Sequence, residues 1–313
     1  MTLVRGRIVT GGPLHEVRVR VPAKINLALS VGGVRSDGNH DLVTVFHAVG
    51  LWDEVVATAA DSLSISITGI THGVPVSNEN LAARAAIALA RRAKVACHVK
   101  LTVHKQIPVA AGLAGGSADA AGALVACAAL WNLGLDRADL IPVAATLGAD
   151  VPFALHGGTV IGTGTGTALT PVLASGDFNW VLGVARSGLS TPAVYAELDR
   201  LRGPRLVAPA AIPPAVLAAL RSGNAVALGA ALSNDLQRAA LSLRPALGMA
   251  LEVGRDYGSL GALVSGSGPT IALLARDEEH ALDLASALAS SGTCQAVLRA
   301  AGPVPGARVV IAA

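Results

Sequence analysis

Cysteine is scarce in this chain: Cys97, Cys127 and Cys294 are the three among 313 residues. They form no CxxC pair and are odd in number, which excludes a disulfide scaffold and fits reduced thiols in a cytoplasmic protein. Aromatic residues make up only 3% of the chain, and no Lys/Arg run accompanies them. There is thus neither a stacking platform nor a phosphate-tracking stripe, and nucleic acid is excluded as a partner. Charged residues reach 14%, and 24 basic against 21 acidic side chains leave a net charge of +3. Long apolar runs are also missing. The stretch Ala120–Trp131 is too short to span a bilayer, and Leu206–Leu220 is interrupted by Pro209, Pro213 and Pro214. The opening, with Arg5, Arg7 and Gly11-Gly12-Pro13, offers no secretory h-region. What is plentiful is small apolar side chain, and a hydrophobic content of 52% excludes global disorder.

The patterning predicts alternating strands and helices. Val17, Val19 and Val21 oppose Arg18 and Arg20, and after Pro22 the alternation resumes with Ile25, Leu27, Leu29 and Val31 against Lys24, Asn26, Ala28 and Ser30. Arg35–Asn39 reads as a turn, followed by strands at Leu42–Val49 and through Leu63, Ile65 and Ile67. Asn80 reads as the N-cap of a helix through Arg92. A strand at Val99–Val103 leads into a glycine-rich stretch and a helix of small residues. Gly157–Gly166 reads as a hairpin. The pattern restarts near Thr170–Asp177 with a strand at Trp180–Ala185 and helices around 194–201, 214–220, 225–232 and 244–257. Strands at 262–264 and 270–275, a helix at 278–290 and a strand at 307–311 follow. Without regular βαβ alternation this is an α+β chain in two halves, 1–172 and 173–313.

The strongest chemical signal is Pro108–Asp119, with Gly112, Gly115 and Gly116 before an apolar helix. Glycines let backbone approach an anion closely, and a helix start supplies unpaired N–H groups and a positive dipole end. The stretch lacks both the lysine of a Walker loop and the GxGxxG of a dinucleotide fold. On spacing alone it is also an ordinary glycine-rich turn. Lys24 and Asn26 share one strand face, with side chains leaving it roughly 6–7 Å apart. Such a lysine either pairs with phosphate or simply reaches water. Asp150 is the sole formally charged side chain between Ile141 and Gly176. A nearby lysine would keep it ionised and fit to take a hydroxyl proton; the other reading is a cap beside Pro152. His40 follows a turn and can hydrogen-bond a heteroaromatic ligand. Ser265–Thr270 is a tight turn or a second backbone wall for a ligand. Gly162–Gly166 is flanked by strand-like residues and reads as a hairpin, not a phosphate loop. The histidines show no metal-ligand spacing.

Taken together, these residues resemble the family of galactose, homoserine, mevalonate and phosphomevalonate kinases. The loop at 108–119 matches its nucleotide motif and Ser265–Thr270 its C-terminal glycine motif. Pro22–Leu27, Arg35–Leu42, Gly148–Phe153, Ser190–Pro192 and Asn234–Leu236 match, in order, the branch that phosphorylates a cytidyl-diphosphate sugar alcohol in non-mevalonate isoprenoid synthesis. The resemblance implies an N-terminal domain like ribosomal protein S5 domain 2, a ferredoxin-like C-terminal domain, and ATP with Mg²⁺ but no dedicated metal residue. It makes Lys24 and Asp150 the catalytic pair. It gives Val109, Ala110, Ala111, Gly112, Leu113, Ala114, Gly115, Gly116, Ser117, Ala118 and Asp119 to the triphosphate and Asn80 to the adenine. Asn26, Asn39, His40, Thr191 and Gly266 would contact a small-molecule substrate, His40 at its cytosine. Two positions depart from the family. Asn39 stands where a tyrosine ring is usual, and Thr167 where an acidic residue is usual. A homoserine or mevalonate-type kinase, and a non-catalytic nucleotide-binding paralogue, remain open alternatives.

Overall fold

The computed structural model describes residues 14–204 and 207–312; the expected opening turn at Gly11-Gly12-Pro13 lies outside them. Two long strands organise the first half. β1 (Glu16–Val34) runs antiparallel to β2 (His40–Thr58), joined by the expected turn at 35–39. β3 (Ser64–Gly69), α1 (Leu81–Ala93) and β4 (Lys100–Lys105) follow, with β3 and β4 parallel as a crossover helix requires. Then come α2 (Gly115–Leu130), α3 (Arg137–Leu147), α4 (Val151–His156) and the hairpin β5 (Thr159–Gly164) and β6 (Ala168–Pro171).

The second half opens with β7 (Phe178–Val184) and continues through α5 (Thr191–Arg202), α6 (Pro214–Ser222), α7 (Ala225–Ala231), β8 (Ser233–Asn234), α8 (Gln237–Leu243) and α9 (Ala246–Asp256). It ends with β9 (Gly261–Val264), β10 (Ile271–Ala275), α10 (Glu278–Ser290), β11 (Ala296–Gly302) and β12 (Arg308–Ala312). Its sheet has the order β11-β7-β10-β9, all antiparallel. Taken by chain order that is fourth–first–third–second, the ferredoxin-like arrangement, with α5–α9 in the first crossover and α10 in the second.

The first sheet has the order β12-β1-β2-β4-β3, with β5 also on β2 and β8 on β1. The expected halves 1–172 and 173–313 therefore do not separate the sheets cleanly, because β8 and β12 return to the first one. The reason matters for the site. β12 pairs with β1 only over Val17–Arg20 and β8 only over Ala28–Leu29. Between them β1 has a free edge, and Pro22, which has no N–H to offer a ladder, sits within that gap. Lys24 N–H, also in the gap, donates to Leu113 O at 3.2 Å, so the glycine loop docks where strand pairing lapses.

Burial explains why alternation on β1 was only half the story. Val17, Val19, Val21, Ile25 and Leu27 are fully buried, but Lys24 and Asn26 on the opposite face are also only 6% and 3% exposed. α2 is apolar around its circumference because it lies inside, packed on α1, β1 and β2. β7 sends Phe178, Trp180 and Leu182 into this main core and Val181 into a second one with Leu273, Leu284 and Leu288. No helix among the described residues is long and apolar enough to cross a membrane.

Candidate active site

One cavity of about 480 Å³ lies where β1, the glycine loop, α4, α5 and the 265–268 turn converge. Lys24, Asn26 and Asp150 are on its wall, together with Ala110–Gly112, Ala114–Ser117, Thr191 and Gly266. Residues from five separate sequence stretches are thus brought together.

The Lys24 ammonium donates to Asn26 Oδ1 at 2.8 Å and lies 3.9 Å from Asp150 Oδ2. Asn26 is fixed in turn, its Nδ2 donating to Thr44 Oγ1 at 2.8 Å and that hydroxyl to Ala28 O at 2.8 Å. Phe46 closes the other side, its ring centroid 5.7 Å from Lys24 Nζ. The lysine is therefore aimed, with its stem packed and its head held short of water. Asp150 stands just before α4, and its carboxylate makes no capping bond, which leaves it free for a ligand.

The two glycine motifs pack on each other. Gly112 has φ +77°, and a Cβ there would lie 2.8 Å from Gly268 O and 2.9 Å from Ser265 O. Thr270 N–H donates to Ala111 O at 3.3 Å. Gly266, at φ +59°, approaches Lys24 and Asn26 so closely that a Cβ would meet Asn26 Oδ1 at 3.1 Å and Lys24 Nζ at 3.4 Å. The Asn234–Leu236 stretch anchors this turn: Asn234 Nδ2 donates to both Val264 O and Gly266 O at 2.7 Å. Ala110 and Ala114 adopt left-handed conformations at φ 52° and 59°. Each costs about 1–2 kcal/mol for an L-residue, strain stored at the loop itself.

Several expected contacts fall elsewhere. Val109 projects outward at 37% exposure, whereas Leu113 and Ala118 are buried in the core. Asp119 is turned inward onto Lys105, not toward the cavity. Asn80 caps α1, its Oδ1 accepting from Ala82 N–H at 2.9 Å while its Nδ2 donates to Pro75 O at 2.8 Å. Its amide thus has one protein partner at each end, and neighbouring Leu81 is on the cavity wall. Asn39 is exposed in its turn. His40 lies beside the cavity, its Nε2 2.9 Å from Asp199 Oδ1 and its ring 5.1 Å from that of Tyr195. A hairpin forms, but over β5 and β6 rather than within Gly157–Gly166, and its tip, Thr165 and Gly166, also lines the cavity.

Tyr195 is the residue sequence reasoning missed. It lines the cavity and is the aromatic surface nearest His40. Burial, with the Asp150 carboxylate adding to it, raises its phenol pKa and keeps it neutral. Its position four residues after Thr191, one turn further along α5, was the available signal.

An anion held at the start of α2 and a hydroxyl held by Asp150 would share this one cavity, with Lys24 beside the carboxylate. Phosphoryl transfer between them is the chemistry such an arrangement serves, and the class it defines is that of ATP-dependent small-molecule kinases. Residues 80–158 match the GHMP kinases N terminal domain and residues 216–294 the GHMP kinases C terminal domain. A 4-diphosphocytidyl-2-C-methyl-D-erythritol kinase of Streptomyces avermitilis is 56% identical over 94% of this chain and its own full length. That of Thermobifida fusca is 55% identical over 94% of this chain and 98% of its own. A crystal structure of 4-(cytidine 5′-diphospho)-2C-methyl-D-erythritol kinase superposes with a TM-score of 0.75 at 35% identity, covering 90% of this chain and 98% of that one. A homoserine kinase from Cytophaga hutchinsonii reaches the same TM-score of 0.75 at only 18% identity, a likeness of fold alone. The chain belongs to the GHMP kinases and, within them, to the family of these 4-diphosphocytidyl-2-C-methyl-D-erythritol kinase relatives.

Proposed function

We propose that this chain transfers the γ-phosphoryl group of ATP to a hydroxyl of 4-diphosphocytidyl-2-C-methyl-D-erythritol, the molecule its relatives are named for. The observation that carries the reading is the Lys24–Asp150 pair, 3.9 Å apart on the wall that the glycine loop shares. The substrate hydroxyl donates to Asp150. As its oxygen bonds to the γ-phosphorus, the bond from that phosphorus to the bridging oxygen breaks, and the electron pair leaves with ADP. The hydroxyl proton passes to Asp150. Lys24 keeps Asp150 ionised beforehand and offsets charge on the transferring group. N–H groups at the start of α2 hold the phosphates, with the helix dipole favouring their charge. Mg²⁺ bound with the triphosphate would supply further neutralisation, and the Ser117 hydroxyl on the cavity wall would be a group to hold it.

Tyr195 and His40 form the pocket for the cytosine, the ring by stacking and the imidazole by hydrogen bonding. Tyr195 thereby offers the aromatic face that Asn39 does not. Residues 1–172 carry the nucleotide loop, and 173–313 bring Thr191, Tyr195 and Gly266 to the substrate. The free thiols Cys97, Cys127 and Cys294 suit a reducing cytoplasm. A coupled ADP-release assay tests the reading. ADP should appear with the cytidyl substrate and not with homoserine or mevalonate. Turnover with either of the latter at a comparable rate would favour the other kinase activities, and ATP binding without turnover on any of the three a non-catalytic role.

A further inference from the structure

Asp119 does not face the cavity, and where it does face suggests a purpose. Its Oδ2 accepts from Lys105 Nζ at 2.6 Å, and the same ammonium donates to Asp53 Oδ2 at 2.5 Å. All three are buried, with exposures of 2%, 3% and 0% for Asp119, Lys105 and Asp53. Ion pairs this deep are poor stabilisers, because desolvation of each charge offsets most of the attraction. The core around them is otherwise of small apolar residues, which would pack there at no such cost. Their connections are to the glycine loop. Asp53 Oδ1 accepts from Gln106 N–H at 2.6 Å and Ile107 N–H at 2.8 Å, fixing the chain just where it enters the loop. Asp119 lies in the second turn of α2, just past where the loop ends. Lys105 lies directly beneath the helix start: a Cβ on Gly115 would be 3.4 Å from its Nζ.

We propose that Lys105, Asp53 and Asp119 are positioning residues for the nucleotide, clamping the entry and exit of the 108–117 loop so that its N–H groups are preset for a triphosphate. The inference rests on the reading of that loop as the ATP site. Burial disfavours the Lys105 ammonium, but the Asp119 and Asp53 carboxylates outweigh it and keep the lysine charged. Burial pushes the Asp119 carboxyl well up, against the pull of Lys105 and with that of Asp53. Asp119 Oδ1 has no hydrogen-bond partner among the described residues.

Asp119→Ala removes the exit clamp while leaving Lys105 and Asp53 as a balanced pair, so the fold has no stranded charge. Asp119→Asn keeps an acceptor for Lys105. Calorimetric titration with ADP and, separately, with cytidine 5′-diphosphate reads both subsites. Asp119→Ala should weaken ADP binding about 10-fold and leave cytidine diphosphate binding within twofold, and Asp119→Asn should restore ADP binding to within threefold of wild type. Unchanged ADP affinity in Asp119→Ala overturns the inference. So does equal weakening of both ligands, which would mark a merely structural role, and so does an Asp119→Asn variant as weak as Asp119→Ala. Lys105→Met, which releases both clamps, should weaken ADP at least as much as Asp119→Ala wherever it folds. Wild-type protein that binds no ADP would sink the kinase reading itself, whereas normal wild-type binding beside an indifferent Asp119→Ala sinks only the clamp.

Discussion

At the scale of single residues, Lys24 and Asp150 carry the most specific expectations. Asp150 makes no structural hydrogen bond through its side chain at the start of α4, so Asp150→Asn should fold normally. Loss of the proton acceptor should lower kcat by on the order of 10²–10⁴-fold, with ATP binding nearly unchanged. A variant keeping more than a tenth of wild-type turnover would exclude the role. Lys24→Ala should lose kcat to a similar degree, and the double variant should be scarcely worse than either single one. Fully additive losses would mean that the 3.9 Å pair does not act as a unit. Tyr195→Ala should raise KM for the cytidyl substrate about 10-fold, within the roughly 1–3 kcal/mol that a base gains by stacking on a ring, and leave KM for ATP alone. A flat substrate KM would remove Tyr195 from the base pocket. These residues differ in how legible they were. Asp150 stands out in sequence because a lone charge in an apolar stretch demands a reason, whereas Lys24 reads as readily as a strand lysine reaching water until the family resemblance pairs it with Asp150. Tyr195 does not stand out, because an aromatic on an amphipathic helix is ordinary until the fold turns that face toward the cavity. Asp119 misleads for a related reason: it follows the phosphate loop in sequence, but a helix rotates each residue about 100° from the last, and the second turn faces the core.

Among the elements, the two glycine motifs act as a matched pair. Gly112→Ala would set a methyl group against Gly268 O and Ser265 O, both backbone atoms that cannot swing aside, and at φ +77°. Equilibrium titration should show ATP affinity falling at least 10-fold in a variant that still melts cooperatively, because the two motifs must part. Affinity equal to wild type would mean that the loops tolerate separation. Both motifs were visible in the sequence, but their contact joins residues more than 150 positions apart and was not. The same limit explains the errors in the strands. β11 (Ala296–Gly302) is small and unpatterned, with Arg299 in its middle, and it is a strand only because β7 offers it an edge. α8 is hidden for a different reason: at seven residues, Gln237–Leu243, it is too short to show a helical period of its own. By contrast, the Asn80 cap, α2 and α10 were read within a residue or two, since their signals are local.

For the whole molecule, the junction of the two sheets holds a titratable group that no ligand is needed to explain. His47, on β2, is fully buried, and its ring lies 6.0 Å from that of Phe178 and 6.1 Å from that of Trp180, both on β7. Its Nδ1 is 2.8 Å from Thr159 Oγ1. β11 passes close by Nε2: a Cβ on Gly302 would be 2.7 Å from that atom. Burial drives the imidazole pKa down from 6.5 to about 3, and the nearby Gly302 backbone opposes this only in part. The sign of the consequence is fixed. In the unfolded chain His47 takes up a proton near pH 6.5, whereas in the folded chain it stays neutral to about pH 3. Across that window the unfolded state binds more protons, so stability falls as pH is lowered, by up to ~1.4 kcal/mol per pH unit. The contribution is fully present above pH 6.5 and is withdrawn progressively below it. Protonation would place a charge at the seam between β2 and β7, among the side chains that β7 sends into the main core. Urea unfolding at pH 7 and pH 5 should show wild type losing about 2 kcal/mol more over that interval than His47→Gln, whose side chain cannot titrate. The variant will be less stable at pH 7 if its amide does not recover the Thr159 bond, so the comparison is of the two pH differences. Equal differences would show that His47 is not what makes the seam acid-sensitive. Tryptophan fluorescence then locates the event. Trp180, fully buried in the seam, should become exposed to solvent in wild type at pH 5 at urea concentrations that leave it quenched and buried in His47→Gln.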